Sequence, residues 1–206
     1  MEYTAYSSNP TRLLIISKSP YDPKSPDPRW CYLGLYRSDQ DRICRPIPQQ
    51  GFRQPNEKDF FWPLQYDFPV GETHEFDIVP MSNQDNDPLP HRNDDIQLIH
   101  RRLVAEAGMV NMSGMFQILS PYAKETIQEA LCYQGTMLTS YGGGQYVVQN
   151  TNCSSCGIYK STRRVALQHP PVPVLVIIEL GRPLFGWMKF YPRRCFKVEV
   201  GVISPS

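Results

Sequence analysis

The sequence predicts an all-β protein with one short helix, organised as two small tandem β-barrels joined by a partly helical segment. Three observations support this fold class: abundant proline, a series of short apolar segments with the period of a strand, and a charge difference between the two halves. The chain has 20 prolines in 206 residues, about twice the usual ~5%. A helical bundle is therefore disfavoured, because an interior proline costs a helix about 3 kcal/mol.

Five segments in the first half have the pattern of β-strands. Residues 12–18 are apolar and β-branched between two proline-containing turns. Residues 29–37 alternate in hydrophobicity and return, after a polar turn, as residues 42–47, which predicts a hairpin. Residues 72–79 follow a Val-Gly turn, and residues 96–104 are assigned as a strand although their period fits neither the helical nor the strand template well.

The second half opens with the predicted helix at residues 122–133. Ser120 and Pro121 are the residue types of a helix N-cap and of the first helical position. Five further strands are expected, at residues 145–149, 157–159, 163–169, 172–180 and 195–203. The first barrel then covers residues 1–108, and the helix with the second barrel covers residues 109–206.

Short motifs of the first half carry a resemblance to a known family. LLIISKS is followed by RWCYLGLYR and then by DRICRPI. An apolar first strand, a Cys-aromatic-Gly strand and a returning strand that ends in Arg-Pro-Ile resemble the start of bacterial dual OB-containing domain proteins. Later, FDIV and PHRNDD resemble a further strand and a His-Pro-Glu-Asp-like element of that family, with Arg92 where proline is usual and Asn93 where glutamate is usual. CGIYK is similar to the strand that opens the second module.

This resemblance covers roughly the first 95 residues best. It implies two OB-type barrels in tandem. It also implies a role around nucleic acids or in prokaryotic defence-type gene neighbourhoods, with no established catalytic site.

Charge divides the chain into an acidic and a basic half. Residues 1–109 hold 12 basic and 16 acidic side chains, net −4, whereas residues 110–206 hold 9 basic and 4 acidic, net +5. An anionic partner is therefore expected to meet the second half. A dipolar protein whose halves attract each other accounts for the same division equally well.

One strand offers a candidate surface for nucleic acid. Trp30, Tyr32 and Tyr36 share a face of residues 29–37, opposite Cys31 and Leu33, which are expected to face the core. Single-stranded nucleic acid is bound by bases stacking on aromatic rings while cations follow the phosphates. OB folds do this on the face of strands 2 and 3. The predicted nucleic-acid-binding residues are Trp30, Arg37, Arg45, Lys160, Arg163, Arg164, Arg193 and Arg194.

The same aromatic face would also serve to pack against a second module or a partner protein, and Tyr32 in particular is expected to pack. Two function classes therefore stay open. The first is a non-catalytic nucleic-acid-binding module or subunit that contacts single-stranded nucleic acid. The second is a protein–protein adaptor whose aromatic face packs on a protein partner in a larger complex.

The cysteines and histidines predict neither an enzyme nor a bound cofactor. The sequence has no HExxH, nucleophile elbow or P-loop. Cys153 and Cys156 form a C-x-x-C, but a structural zinc site needs four ligands and no second pair lies near. Cys31 and Cys44, on the paired strands of the hairpin, are expected to be buried thiols.

The sequence predicts a cytoplasmic protein without a membrane partner. No apolar run approaches the roughly 18 residues of a membrane span. The first ten residues lack the charged and apolar regions of a signal peptide. A reducing compartment then keeps most cysteines as thiols.

Because the C-x-x-C lacks a second ligand pair, we expect the purified protein to hold no stoichiometric metal. Elemental analysis of the protein, purified without chelator, measures this directly. One zinc ion per chain that disappears when Cys153→Ser and Cys156→Ser are combined would contradict the expectation.

Overall fold

Strands make up most of the chain that the structure describes, and they are accompanied by one short α-helix. The structure is a computed structural model that describes residues 10–21, 26–36, 42–49, 61–79, 95–124, 136–140, 145–147, 166–168, 174–181 and 196–203. Of these residues, those up to Val110 belong to one compact unit and those from Asn111 onward belong to another.

Five strands of the first unit close into a β-barrel. The strands of this unit are β1 (Thr11–Tyr21), β2 (Arg29–Tyr36), β3 (Arg42–Pro48), β4 (Trp62–Pro63), β5 (Thr73–Ile78) and β6 (Asp95–Leu103). The order around the barrel is β1-β5-β6-β3-β2 and back to β1, while the two-residue β4 pairs with the start of β2. All barrel neighbours are antiparallel except β3 and β6, which are parallel. Closure leaves the barrel without an open sheet edge.

The barrel interior is filled mainly by aromatic and branched side chains. Gly34 of β2 lies where a Cβ atom would be 3.3 Å from the side chain of Leu13, so a small residue lets Leu13 fill that space. The predicted hairpin is confirmed, because Gly34 pairs with Cys44 across β2 and β3. The buried core consists of Leu13, Ile15, Tyr32, Cys44, Trp62, Phe68, Phe76, Ile96 and Leu98.

The prediction that Cys31 and Leu33 are buried is confirmed, but the face of β2 that belongs to the barrel core cluster is the other one. Tyr32 belongs to the barrel core, on the face that was expected to lie away from it. Cys31, Leu33 and Leu35, on the opposite face, are buried as well. Alternation shows that two faces differ, but it cannot identify the inner one when both are apolar.

A β-bulge in β1 changes which of its side chains lie on the same face of the sheet as the aromatic side chains of β2. Ile15 lies opposite Gly34, but the next paired residue is Ser17, opposite Leu33. The extra residue reverses the alternation. Lys18 therefore comes opposite Tyr32 and shares the face of the aromatic side chains.

The turn before β5 requires a glycine. Gly71 has φ of 95°, in the left-handed region, and a Cβ atom there would collide with the carbonyl of Val110. Its N–H donates to the carbonyl of Ile15 at 2.8 Å, and its own carbonyl accepts from the N–H of Val110 at 2.9 Å. This turn therefore ties residues 66–70 to β1.

In the second unit the described strands form two sheets. The strands are β7 (Ala123–Lys124), β8 (Thr136–Ser140), β9 (Gln145–Val147), β10 (Ala166–Gln168), β11 (Val174–Gly181) and β12 (Phe196–Ile203). One sheet has the order β12-β11-β8-β7, and β9 pairs with β10 in the other. The strand expected at residues 157–159 lies outside the described residues, and β8 was not predicted.

The helix lies earlier than predicted. It is α1 (Met112–Leu119), and Asn111 is its N-cap, whose side chain accepts from the N–H of Gly114 at 2.8 Å. Ser120, taken from the sequence as an N-cap, follows the helix instead, and its hydroxyl donates to the carbonyl of Phe116 at 2.6 Å. Residues 123 and 124, expected to be helical, form β7, and residues 125–133 lie outside the described part of the chain.

The sequence did contain a signal for α1. Met112, Met115, Phe116 and Leu119 have the i, i+3, i+4, i+7 spacing of one helix face, and Met115 and Leu119 are buried. Pro121 is then one of the prolines that commonly follow a helix C-cap. Among the described residues, no helix is long and apolar enough to cross a membrane.

Replacing Asn111 with alanine is expected to destabilise the protein by about 1 kcal/mol, because the N–H of Gly114 loses its acceptor. Asn111→Ser should retain most of the stability, since serine is also a good N-cap. Urea unfolding of both variants measures the difference. Equal stability of Asn111→Ala and the parent would contradict this assignment of the helix start.

Candidate binding surface and a buried histidine pair

Trp30, the predicted base-stacking residue, lies near the start of β2 with its side chain half-buried. The ammonium of Lys18 lies 4.0 Å from the centre of its ring, a cation–π contact. Lys18 also forms an ion pair with Asp67. One face of the Trp30 ring is therefore already occupied by a cation that has an anionic partner.

Tyr32 is a packing residue inside the barrel, 1% exposed. Its hydroxyl donates to the carbonyl of Tyr66 at 2.8 Å and accepts from the N–H of Phe68 at 3.2 Å. Burial raises the pKa of Tyr32 to about 12. The expectation that Tyr32 is buried is confirmed, but its ring packs in the core of the first barrel, whereas packing against a second module or a partner was expected.

Arg45, also predicted to contact nucleic acid, is 1% exposed in β3. Leu33 and Leu35 of β2 and Ile47 of β3 are buried on the side of the sheet away from the barrel core. In this structure the guanidinium of Arg45 is not on the surface.

The other predicted contacts cannot be placed. Arg37, Lys160, Arg163, Arg164, Arg193 and Arg194 lie outside the described residues, as do Cys153, Cys156 and His91. Cys31 and Cys44 are described, and both are buried thiols, as expected.

Five cations whose side chains the structure describes at the surface of the first barrel each have a carboxylate partner. Arg29 pairs with Asp27 at 2.9 Å and Arg101 with Asp77 at 2.7 Å. Arg12 and Arg102 both approach Glu75, at 3.5 and 3.2 Å, and both also contact Glu106, while Lys18 pairs with Asp67. These side chains therefore add little positive potential to the surface.

Sequence reasoning missed a pair of histidines of the first barrel, of which His74 is buried and His100 is half-buried. Nδ1 of His74, on β5, lies 3.2 Å from Nε2 of His100, on β6. Nε2 of His74 lies 3.0 Å from a carboxylate oxygen of Glu72. Burial lowers the pKa of both histidines, and the neighbouring His74 lowers that of His100 further. The available signal was the two-residue spacing of a strand face. His74 lies two residues from Phe76, and His100 lies two residues from Leu98, and Phe76 and Leu98 are core residues.

The described part of the chain gives the histidine pair no third metal ligand. Among the residues that the structure describes, no three His, Cys, Asp or Glu side chains are grouped so as to hold a metal ion. The two nitrogens that face each other are instead joined by a hydrogen bond.

No family model, curated protein or solved structure matches this chain.

The place of Tyr32 predicts two different losses of stability. Tyr32→Ala should cost about 3–5 kcal/mol, as truncation of a buried aromatic residue does. Tyr32→Phe keeps the ring but leaves the N–H of Phe68 and the carbonyl of Tyr66 without the hydroxyl, and should cost about 1–3 kcal/mol. Urea unfolding measures both, and Tyr32→Ala as stable as the parent would show that the ring is not in the core.

Proposed function

We propose that the protein is a non-catalytic nucleic-acid-binding module in which the first barrel is a scaffold and the basic second half contacts the phosphates. The observation that carries this proposal is the pairing of the five cations whose side chains the structure describes at the surface of the first barrel, because each has a carboxylate partner. The second half carries a net charge of +5 from 9 basic and 4 acidic residues. Phosphate binding depends on cations that replace counterions, so the second half is the better candidate.

The topology of the first unit supports an OB-type barrel. Counted along the chain, the five barrel strands follow one another around the barrel as first, second, third, fifth and fourth, with the third and fifth parallel. This is the Greek-key arrangement of OB folds. It is consistent with the resemblance of the opening motifs to bacterial dual OB-containing domain proteins, and we propose a second OB-type barrel in residues 109–206.

In such a protein, nucleic acid would have to contact a surface other than the one that OB folds commonly use. That surface is the face of strands 2 and 3, and here Leu33, Leu35, Arg45 and Ile47 are buried on it. We therefore remove Arg45 from the proposed contacts. Trp30 remains, because its ring is half-buried rather than enclosed, together with Arg37, Lys160, Arg163, Arg164, Arg193 and Arg194.

A protein–protein adaptor is the second candidate. The paired charges of the first barrel suit a protein partner better than a polyanion. Leu64, Leu103 and Met109 are exposed apolar side chains of the same unit, at 48, 43 and 68%. In this alternative the protein is a structural subunit of a cytoplasmic complex, of the kind that the resemblance implies for prokaryotic defence.

Two adjacent arginine pairs give a matched test. We expect Arg163→Gln with Arg164→Gln to weaken binding of single-stranded nucleic acid and to reduce the slope of log K against log salt by up to about 1.4, near 0.7 for each lost phosphate contact. Arg101→Gln with Arg102→Gln removes the same charge from ion-paired positions of the first barrel and should leave that slope unchanged.

Titrations of the full chain with single-stranded DNA, single-stranded RNA and duplex at several salt concentrations measure these slopes. If both arginine-pair variants lost binding and salt slope equally, the division between a scaffold and a binding half would be contradicted. Absence of binding to all three at low salt would contradict the nucleic-acid proposal and leave the adaptor.

A further inference from the structure

Glu72, His74 and His100 form a continuous hydrogen-bonded chain inside the barrel. A carboxylate only accepts hydrogen bonds, so Nε2 of His74 carries the proton that it shares with Glu72. Nδ1 of neutral His74 is then an acceptor, and Nε2–H of His100 donates to it. These two hydrogen bonds fix both tautomers. Nδ1 of His100 is the ring nitrogen that takes part in neither of them.

This hydrogen-bonded chain lies against residues 66–70, in the connection before β5, which we call the closing segment. The ring of Phe68 is 4.7 Å from that of His74 and 4.8 Å from that of His100. The ring of Tyr66 meets His100 edge-on at 6.1 Å. The closing segment therefore rests on both imidazoles.

Few charged groups face the imidazoles from the surrounding elements. Glu72 contacts His74 directly, and the closing segment contributes the phenol of Tyr66 and the carboxylate of Asp67, which is bound to Lys18 of β1. From β2 the phenol of Tyr32 is bound to the closing segment.

The other nearby charges lie on the outer faces of their strands and are paired with one another. They are Arg12 on β1, Glu75 and Asp77 on β5, and Arg101 and Arg102 on β6. Among the described residues, Glu72 is thus the one charged group in contact with the pair.

We propose that Glu72, His74 and His100 act as an acid-sensitive latch, which holds the closing segment on the barrel while both imidazoles are neutral and releases it when they take up protons. The first proton enters at Nδ1 of His100 and places a cation against the ring of Phe68. The second must enter at Nδ1 of His74, where it breaks the bond to His100 and brings two cations to 3.2 Å. The doubly protonated pair is therefore incompatible with the closed arrangement.

The direction of the pH effect follows from burial. The pKa of each histidine is lower in the folded protein than the ordinary value near 6.5. The closed state is therefore fully favoured above about pH 6.5, and the preference is lost as the pH falls through that value toward the lowered pKa values. Each proton taken up on opening changes the equilibrium about tenfold per pH unit, so two protons change it up to about a hundredfold.

Amide hydrogen exchange on the full chain tests the latch. The N–H of Phe68, which donates to Tyr32, should lose protection between pH 7.5 and 5.5 beyond the loss at Leu35 in the middle of β2. In His100→Gln the side-chain amide still donates to Nδ1 of His74 but does not titrate, so the extra loss should shrink by up to about tenfold. His169→Gln, which removes one imidazole from the second half, should behave as the parent.

Equal loss of protection at Phe68 and Leu35 would overturn the proposal, as would an undiminished loss in His100→Gln. NMR titration of the imidazole protons of the parent keeps the test decisive if His100→Gln does not fold. Both histidines are expected to titrate below pH 6.5, and titration of either at or above that value would also overturn the latch.

Discussion

The first barrel depends on the ring of Phe68, which packs among the aromatic side chains of its core. The ring lies 5.0 Å from that of Tyr32, 5.3 Å from Trp62 and 5.7 Å from Phe76, so it contacts side chains from β2, β4 and β5. A closed five-stranded barrel encloses a volume that side chains must fill. Because Phe68 comes from the connection before β5, a residue outside the five barrel strands completes the core.

The same arrangement explains why the aromatic residues do not form an open platform. The hydroxyl of Tyr32 makes two hydrogen bonds to the backbone around Phe68, and the Nε1–H of Trp62 donates to the carbonyl of Pro46 at 2.8 Å. Aromatic side chains with satisfied polar atoms suit a barrel interior. Of the aromatic face of β2, Trp30 and Tyr36 are the members that keep part of their surface outside the core.

The strands were predictable where local signals agreed, as in the hairpin of β2 and β3, where alternation and a polar turn coincide. The inner face of β2 was not, because both faces are apolar and the choice depends on closure with β1 and β5. The helix was misplaced because Ser120 and Pro121 match both the start of a helix and the residues after one. The contact of His74 with His100 depends on the pairing of β5 with β6, which no local pattern shows.

The parallel pairing of β3 with β6 has a consequence for the order in which the first unit forms. Arg45 pairs with Asp95, so the barrel closes only when the last strand joins strands that were made much earlier. Until then β3 and β5 each present an unpaired edge, and such edges are templates for association with other chains. Non-local pairing of this kind slows folding and prolongs the exposure of partly folded chains. A chain that ends before β6 would therefore carry the hydrophobic interior of a barrel without the strand that seals it.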